Sequence, residues 1–231
     1  MQQPANNPSL SALAASPQAL EAAHFAGETL GPLFLLDPQQ DAHAIAPLLD
    51  AFATMDVASA AEEWPARNKA SVKNALAALQ AGALQALGSP NGSDALTWEF
   101  RRLFVGPGPK AAPPWGSVYT DKECVVFGQA TLELRSWMRS EGIARLGSTA
   151  EPEDHIGLML SLMAWIAQNR PAALPPFLAL HLMPWAPHFL QGMERAAEHP
   201  FYRGLAQLTL ASLTQLSASL QLNVTEPRFY R

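Results

Sequence analysis

The chain has 231 residues and carries 15 lysines and arginines against 20 aspartates and glutamates, a formal net charge of -5. Nucleic-acid binding depends on clustered basic residues that contact phosphates, so this charge balance argues against it. Charged residues are only 15% of the chain, below the roughly 25% of an average soluble domain, which indicates a large core. The single cysteine, Cys124, excludes an internal disulfide and a thiolate zinc site.

Residues 1–17 are small and polar and are predicted to form a flexible tail. They lack the basic stretch and following apolar stretch of a secretory leader, so we expect the protein to stay in the cytoplasm. No apolar run elsewhere approaches the roughly 18 residues that a membrane helix needs. Residues 18–222 are predicted to form one domain and residues 223–231 a second tail.

Apolar residues recur at intervals of three and four along most of this domain, which predicts helices. The predicted helices cover residues 18–36, 41–53, 66–87, 94–105, 123–142, 151–169, 175–183, 186–198 and 201–220. Many of the 20 prolines, such as Pro38 and Pro200, fall between these stretches, where proline is tolerated. No stretch alternates convincingly with the period of two expected for a strand. The sequence therefore predicts an all-α, single globular domain of about eight to ten helices.

Residues 106–120 interrupt the helical pattern with four prolines and three glycines. The segment also carries large aromatic residues, whereas a flexible linker is typically rich in glycine and serine without rings. It either packs against the core or forms part of a groove for an apolar peptide, with Glu99, Asp121 and Glu123 as an acidic rim. The groove would be lined by Phe100, Leu103, Phe104, Pro113, Pro114, Trp115 and Tyr119.

An acidic segment with one histidine, Glu-Pro-Glu-Asp-His at residues 151–155, opens the helix predicted at 151–169. One interpretation is capping, because acidic residues suit the positive end of a helix dipole. A second is ligand recognition. A third is a metal-dependent hydrolase that uses Asp154, His155 and His181, although adjacent residues of a helix point about 100° apart and do not converge on one metal.

Six short segments, taken together and in order, are similar to a known family. They are Leu-Phe-Val-Gly-Pro at 103–107, Pro-Pro-Trp-Gly-Ser-Val-Tyr at 113–119, Val-Phe-Gly at 126–128, Glu-Pro-Glu-Asp-His at 151–155, His-Leu-Met-Pro-Trp at 181–185 and Glu-His-Pro-Phe-Tyr at 198–202. The chain resembles the TorD/DmsD family of redox enzyme maturation chaperones, most of all its DmsD group of twin-arginine leader-binding proteins. The resemblance begins near Leu96 and is most specific in the second and fourth segments.

This resemblance implies an all-helical cytoplasmic chaperone with no catalytic activity, cofactor or metal. Its partners would be the twin-arginine leader and the cofactor-free catalytic subunit of a molybdopterin oxidoreductase of the dimethyl sulfoxide reductase type. Export by the Tat pathway would be held back until the cofactor is inserted. The Tat translocase and molybdenum-cofactor delivery proteins are further partners that the resemblance allows. The implied peptide-binding residues are Phe100, Leu103, Phe104, Pro114, Trp115, Tyr119, Gly128, Pro152, Asp154 and His155.

Overall fold

Eleven α-helices account for most of the part of the chain that the structure, a computed structural model, describes: residues 15–88, 91–144 and 151–231. They are α1 (Pro17–Leu35), α2 (Ala42–Thr54), α3 (Val57–Glu63), α4 (Lys69–Gly88), α5 (Gly92–Phe100), α6 (Ser117–Thr120), α7 (Gln129–Ser140), α8 (Ile156–Asn169), α9 (Leu174–Phe177), α10 (Ala186–Ala196) and α11 (Pro200–Ser219). No strand lies in these ranges. The prediction of an all-α fold is confirmed.

Three short elements of other helical types complete the chain path. A π-helical turn, Arg101–Val105, continues α5, and a second, Leu178–Leu182, continues α9. A 3-10 turn, Pro171–Ala173, leads into α9. Because a π turn holds one more residue per hydrogen-bonded ring than an α turn, it changes the direction of the side chains that follow.

Two closely packed helix pairs, α1 with α8 and α4 with α11, lie at the centre of the molecule. Glycines allow the first pair to approach closely: a β-carbon on Gly157 would lie 2.8 Å from the carbonyl oxygen of Gly31, and one on Gly27 would overlap the carbonyl oxygen of Leu160. The helix α8 is apolar around most of its circumference, as the sequence indicated for a core helix. Buried apolar residues from Ala19 to Leu220 form one continuous core.

Two helices begin well after the predicted residue. The helix expected at 123–142 begins at Gln129, because Cys124 and Phe127 have positive φ angles of 49° and 64°, in the left-handed region that ends a helical path. The helix expected at 151–169 begins at Ile156. The residues before it pair with the proline-rich loop at 106–120 instead of forming a first helical turn.

The bent pair formed by α2 and α3 differs most from the sequence prediction. Pro47 lies inside α2, as it does in the helix predicted at 41–53, whereas α3 was not predicted. Asp56 caps α3, since its side chain accepts a hydrogen bond from the amide of Ser59 (2.8 Å). Within the described ranges no single helix is long and apolar enough to cross a membrane. Only the two helices of this pair, taken together, meet the length and composition criteria, and they are bent by 102°.

The structure describes the two predicted tails unequally. Residues 1–14 of the first lie outside the described ranges, and α1 begins already at Pro17, capped by the side chain of Ser16. Residues 223–231 contain no helix. They contact the surface around Tyr119, which adjoins the site described next.

Candidate functional site

The proline-tryptophan loop and the acidic segment, the two most specific segments of the sequence, lie side by side. Trp115 and His155 form an isolated antiparallel bridge. The amide of Gly116 donates to the carbonyl oxygen of Asp154 (3.1 Å), and the indole Nε1 of Trp115 donates to the Glu151 carboxylate (3.0 Å). The rings of Trp115 and His155 meet edge to face with centroids 5.9 Å apart. Backbone pairing with the loop therefore replaces the helical turn that the acidic segment was expected to form.

The carboxylate of Asp154 joins this bridge to a third element. Its Oδ2 accepts a hydrogen bond from the amide of Ser117 (2.8 Å), and its Oδ1 accepts one from the hydroxyl of Thr131 on α7 (2.8 Å). The residue is only 2% exposed. A buried carboxylate is costly unless both oxygens find donors, so these contacts fix the loop, α7 and the start of α8 together.

A cleft of about 420 Å³ opens on one side of the bridge, and we call it the aromatic cleft. The π turn Arg101–Val105 presents Phe104 and Val105 to it, and such turns are frequent at functional sites. The rings of Phe100 and Phe104 meet edge to face at 5.3 Å. The lining consists of Phe34, Leu35, Asp37, Gln40, Asp41, Phe100, Phe104, Val105, Lys110, Pro114, Trp115, Glu151 and His155.

The ten predicted peptide-binding residues divide into two sets in the structure. Five line the aromatic cleft: Phe100, Phe104, Pro114, Trp115 and His155. The remaining five do not: Leu103, Tyr119, Gly128, Pro152 and Asp154. Two other clefts of comparable size, between α4 and α11 and beside α5, contain none of the ten. Of these three clefts, the aromatic cleft is therefore the one that contains predicted peptide-binding residues.

Three members of the second set contact other parts of the fold instead of the cleft. Leu103 is fully buried in the core. Pro152 is buried, and its carbonyl oxygen accepts a hydrogen bond from the amide of His155 (3.0 Å). Gly128 lies immediately before α7. The carboxylate of Asp121 lies so close to it that a β-carbon at position 128 would overlap this carboxylate.

The other two members, Tyr119 and Asp154, belong to the opposite side of the bridge. Tyr119 donates from its hydroxyl to the carbonyl oxygen of Pro113 (2.9 Å) and stacks on Trp185 with ring centroids 6.1 Å apart. Asp154 and Trp185 line a smaller cleft of about 150 Å³ together with His181. The family-derived positions thus surround the bridge on two sides.

The acids predicted as a rim lie outside the aromatic cleft. Neither Glu99, Asp121 nor Glu123 lines the aromatic cleft. Glu99 is only 5% exposed and accepts hydrogen bonds from Arg102 (2.7 Å) and from the amide of Glu198 (2.6 Å). Its charge is therefore compensated within the fold.

Three other acids line the aromatic cleft: Asp37, Asp41 and Glu151. Two cations of the protein itself lie near them. The Nε of Arg101 is 3.8 Å from Asp37 Oδ2, and the ammonium of Lys110 is 5.5 Å from the centroid of the Trp115 ring. The sequence carried no signal for the first two acids, because they precede the recognisable segments by more than 60 residues and reach the cleft only through packing.

The two histidines near the bridge are held neutral. Burial lowers the pKa of His155 to about 3. Burial also lowers the pKa of His181 to about 4, although the nearby Glu133 opposes the shift. The Nδ1 of His155 accepts a hydrogen bond from the amide of Gly157 (3.1 Å), so the neutral ring caps α8.

The metal-dependent hydrolase considered for Asp154, His155 and His181 is not favoured by this geometry. Asp154 and His181 line the smaller cleft, whereas His155 lines the aromatic cleft. Both carboxylate oxygens of Asp154 already accept hydrogen bonds. In residues 15–88, 91–144 and 151–231, no group of three or more His, Cys, Asp or Glu side chains is placed to hold a metal ion.

Comparisons with known proteins agree with the fold and with the motifs. The family model described as nitrate reductase delta subunit matches residues 66–191. The chain is 46% identical over 136 residues to the probable Tat proofreading chaperone DmsD of Haemophilus influenzae, covering 59% of this chain and 67% of that protein. It is 38% identical over 203 residues to the Tat proofreading chaperone DmsD of Salmonella typhi, covering 87% and 92%. It is 27% identical over 132 residues to the chaperone protein TorD of Vibrio cholerae, covering 52% and 60%.

The helical fold and these relatives define a class of chaperones, not of enzymes. Within that class, the chain belongs to the TorD/DmsD family, and the membership predicted from its motifs is confirmed. The relatives are named as chaperones, which also confirms the prediction that the protein is not an enzyme.

The lowered pKa of His155 predicts how the free energy of unfolding changes as the pH falls. Because the folded-state pKa of about 3 lies below the ordinary 6.5, the unfolded state takes up the proton first as the pH falls. The stabilisation is complete above pH 6.5 and is lost towards pH 3, with a slope of up to about 1.4 kcal/mol per pH unit. His155→Asn keeps a capping side chain but removes the titration. Urea unfolding between pH 7 and pH 4 should therefore show a shallower loss of stability for the variant, and equal slopes would contradict the assignment.

Proposed function

We propose that this protein is a Tat proofreading chaperone that binds the twin-arginine leader of a molybdopterin oxidoreductase catalytic subunit, of the dimethyl sulfoxide reductase type. The names of its DmsD relatives support this role. The observation that carries the proposal is the bridge between Trp115 and His155, because it assembles an aromatic cleft whose lining includes three acids. We call these acids, Asp37, Asp41 and Glu151, the acidic mouth. Residues 18–222 act as one chaperone domain in the cytoplasm, without a cofactor.

The apolar part of the leader enters the aromatic cleft. The ring of Trp115 and the ring of Phe104 form walls that are only 8% and 3% exposed, so they are rigid and already packed. Val105 is 53% exposed and offers the cleft's open apolar surface. Burial of roughly 150 Å² of apolar surface contributes about 4 kcal/mol before ordering costs. Such a contribution makes a short apolar segment a suitable ligand for this cleft.

The arginines of the leader lie against the acidic mouth. Asp37, Asp41 and Glu151 provide three carboxylates, and the net charge of -5 favours approach of a cationic peptide. Arg101 and Lys110 are near these groups in the free protein, and the leader guanidiniums compete with them. Asp41 and Glu151 are partly exposed, so salt partly screens ion pairs with them, and leader binding weakens as ionic strength rises.

Retention of the leader explains how binding delays export. Arginines held against the carboxylates are not presented to the Tat translocase, and the catalytic subunit remains available for cofactor insertion. Cofactor-delivery proteins therefore meet the client while its leader is held. Release follows when the folded, cofactor-loaded subunit no longer favours the bound state.

The exposed position of Val105 allows a test that does not disturb the core. Val105→Ser removes apolar surface from the aromatic cleft, so a synthetic twin-arginine leader of a dimethyl sulfoxide reductase should bind about fivefold more weakly in titration calorimetry. Val125→Ser is the matched control, since Val125 is 45% exposed and lies outside the cleft. Equal affinities of the two variants would place the apolar contact elsewhere.

A second substitution tests the acidic mouth. Glu151→Gln keeps an oxygen that can accept the indole hydrogen bond of Trp115 but removes one charge from the cleft. Leader affinity should fall about threefold at low salt, and its salt dependence should become weaker. Glu21→Gln, at an exposed position near the far end of α1, is the control and should change neither. An unchanged salt dependence in Glu151→Gln would exclude this carboxylate from arginine recognition.

A further inference from the structure

Residues 223–231 lie across the surface on the second side of the bridge. The ring of Phe229 stacks on the ring of His188, with centroids 4.0 Å apart and an interplanar angle of 13°. The amide of Tyr230 donates to the carbonyl oxygen of Tyr119 (2.9 Å). A third contact joins His188 Nε2 to the backbone oxygen of Arg231 (2.9 Å). The ring stack and these two hydrogen bonds fix this part of the chain beside the predicted peptide-binding residues. We call residues 227–231 the docked segment.

The two arginines of the docked segment contact a carbonyl oxygen and an aromatic ring. The guanidinium of Arg231 donates to the carbonyl oxygen of Lys110 (2.7 Å), and that of Arg228 lies over the ring of Tyr230, 5.1 Å from its centroid. In the described part of the chain, neither arginine forms an ion pair with an acidic side chain. Exposed hydrogen bonds and uncompensated charges hold a segment weakly, so the docked segment opens at low cost.

The surface beneath it has the features of a peptide site, and we call it the docking surface: Lys110, Tyr119, Trp185 and His188. Aromatic rings dominate this surface, as they do in other peptide-binding sites. The smaller cleft adjoins it, with Glu133 and Asp154 in its lining and Pro227 of the docked segment at its edge. Negative charge thus lies next to the rings.

We propose that the docking surface binds an arginine-flanked apolar part of the leader, and that the docked segment occupies it as an internal substitute until the leader displaces it. The inference rests on the proposed function. The docked segment reads Pro-Arg-Phe-Tyr-Arg and so offers the guanidiniums and apolar rings that a twin-arginine peptide offers.

The division of the predicted site residues gives a second reason. Tyr119 and Asp154 face the docked segment or its adjoining cleft, whereas Trp115 and His155 face the aromatic cleft. A leader that contacts both sets has to cross the position of the docked segment. Leader binding then requires displacement of the docked segment. The observed affinity is the intrinsic affinity multiplied by the fraction of time that the surface is uncovered.

Titration calorimetry with the synthetic twin-arginine leader tests this coupling in the full chain. Phe229→Ala removes the stack on His188, and deletion of residues 227–231 removes the docked segment. If the surface is covered about nine-tenths of the time, both variants should bind the leader up to about tenfold more tightly than the unmodified chain. Thr225→Ala is the control, because Thr225 is exposed and precedes the docked segment. In the unmodified chain, leader addition should also accelerate hydrogen exchange of the Tyr230 amide.

The outcomes separate this inference from the proposed function. Leader binding with unchanged affinity in Phe229→Ala and with an equally protected Tyr230 amide overturns the displacement and leaves the chaperone role standing. Failure of the leader to bind any form of the protein overturns both. If the deletion variant does not fold, Phe229→Ala and the exchange of the Tyr230 amide decide the result.

Discussion

The buried carboxylate of Asp154 is the constraint on which the site depends. It lies in the acidic segment, yet its two oxygens accept hydrogen bonds from the amide of Ser117 and the hydroxyl of Thr131, 37 and 23 residues away. Each donor belongs to a different element, so satisfying one buried charge requires the loop, α7 and the start of α8 to meet. The bridge between Trp115 and His155 follows from this meeting, and the cleft follows from the bridge.

This arrangement places a cleft on each side of the bridge. On one side Trp115 and His155 form walls of the aromatic cleft, and on the other Asp154 and His181 line the smaller cleft beneath the docked segment. Each cleft is lined by a side chain from a π-helical turn: Phe104 in the aromatic cleft and His181 in the smaller cleft. Such a turn changes the direction of the side chains that follow. An extended peptide that follows both sides would contact rings and carboxylates alternately, which suits a ligand that combines arginines with an apolar run.

Much of the fold could be predicted from the sequence, because the helical spacing of apolar residues and the prolines at helix ends are local signals. The late start of α8 at Ile156 could not, since pairing with a loop about 40 residues away replaced the first turn. Only part of the candidate site could be predicted from the sequence. The motif residues were identified by resemblance, whereas Asp37 and Asp41 reach the cleft only through tertiary packing. Glu99 was assigned to the rim because sequence proximity does not show that Arg102 compensates its charge.

We propose that the aromatic cleft holds the apolar part of a twin-arginine leader. A crystal structure of the full chain with a synthetic leader from a dimethyl sulfoxide reductase tests this proposal most directly. We expect leader side chains between Phe104 and Trp115 and leader guanidiniums beside Asp37 or Glu151. A leader bound instead in the cleft between α4 and α11, with the aromatic cleft empty, would contradict it.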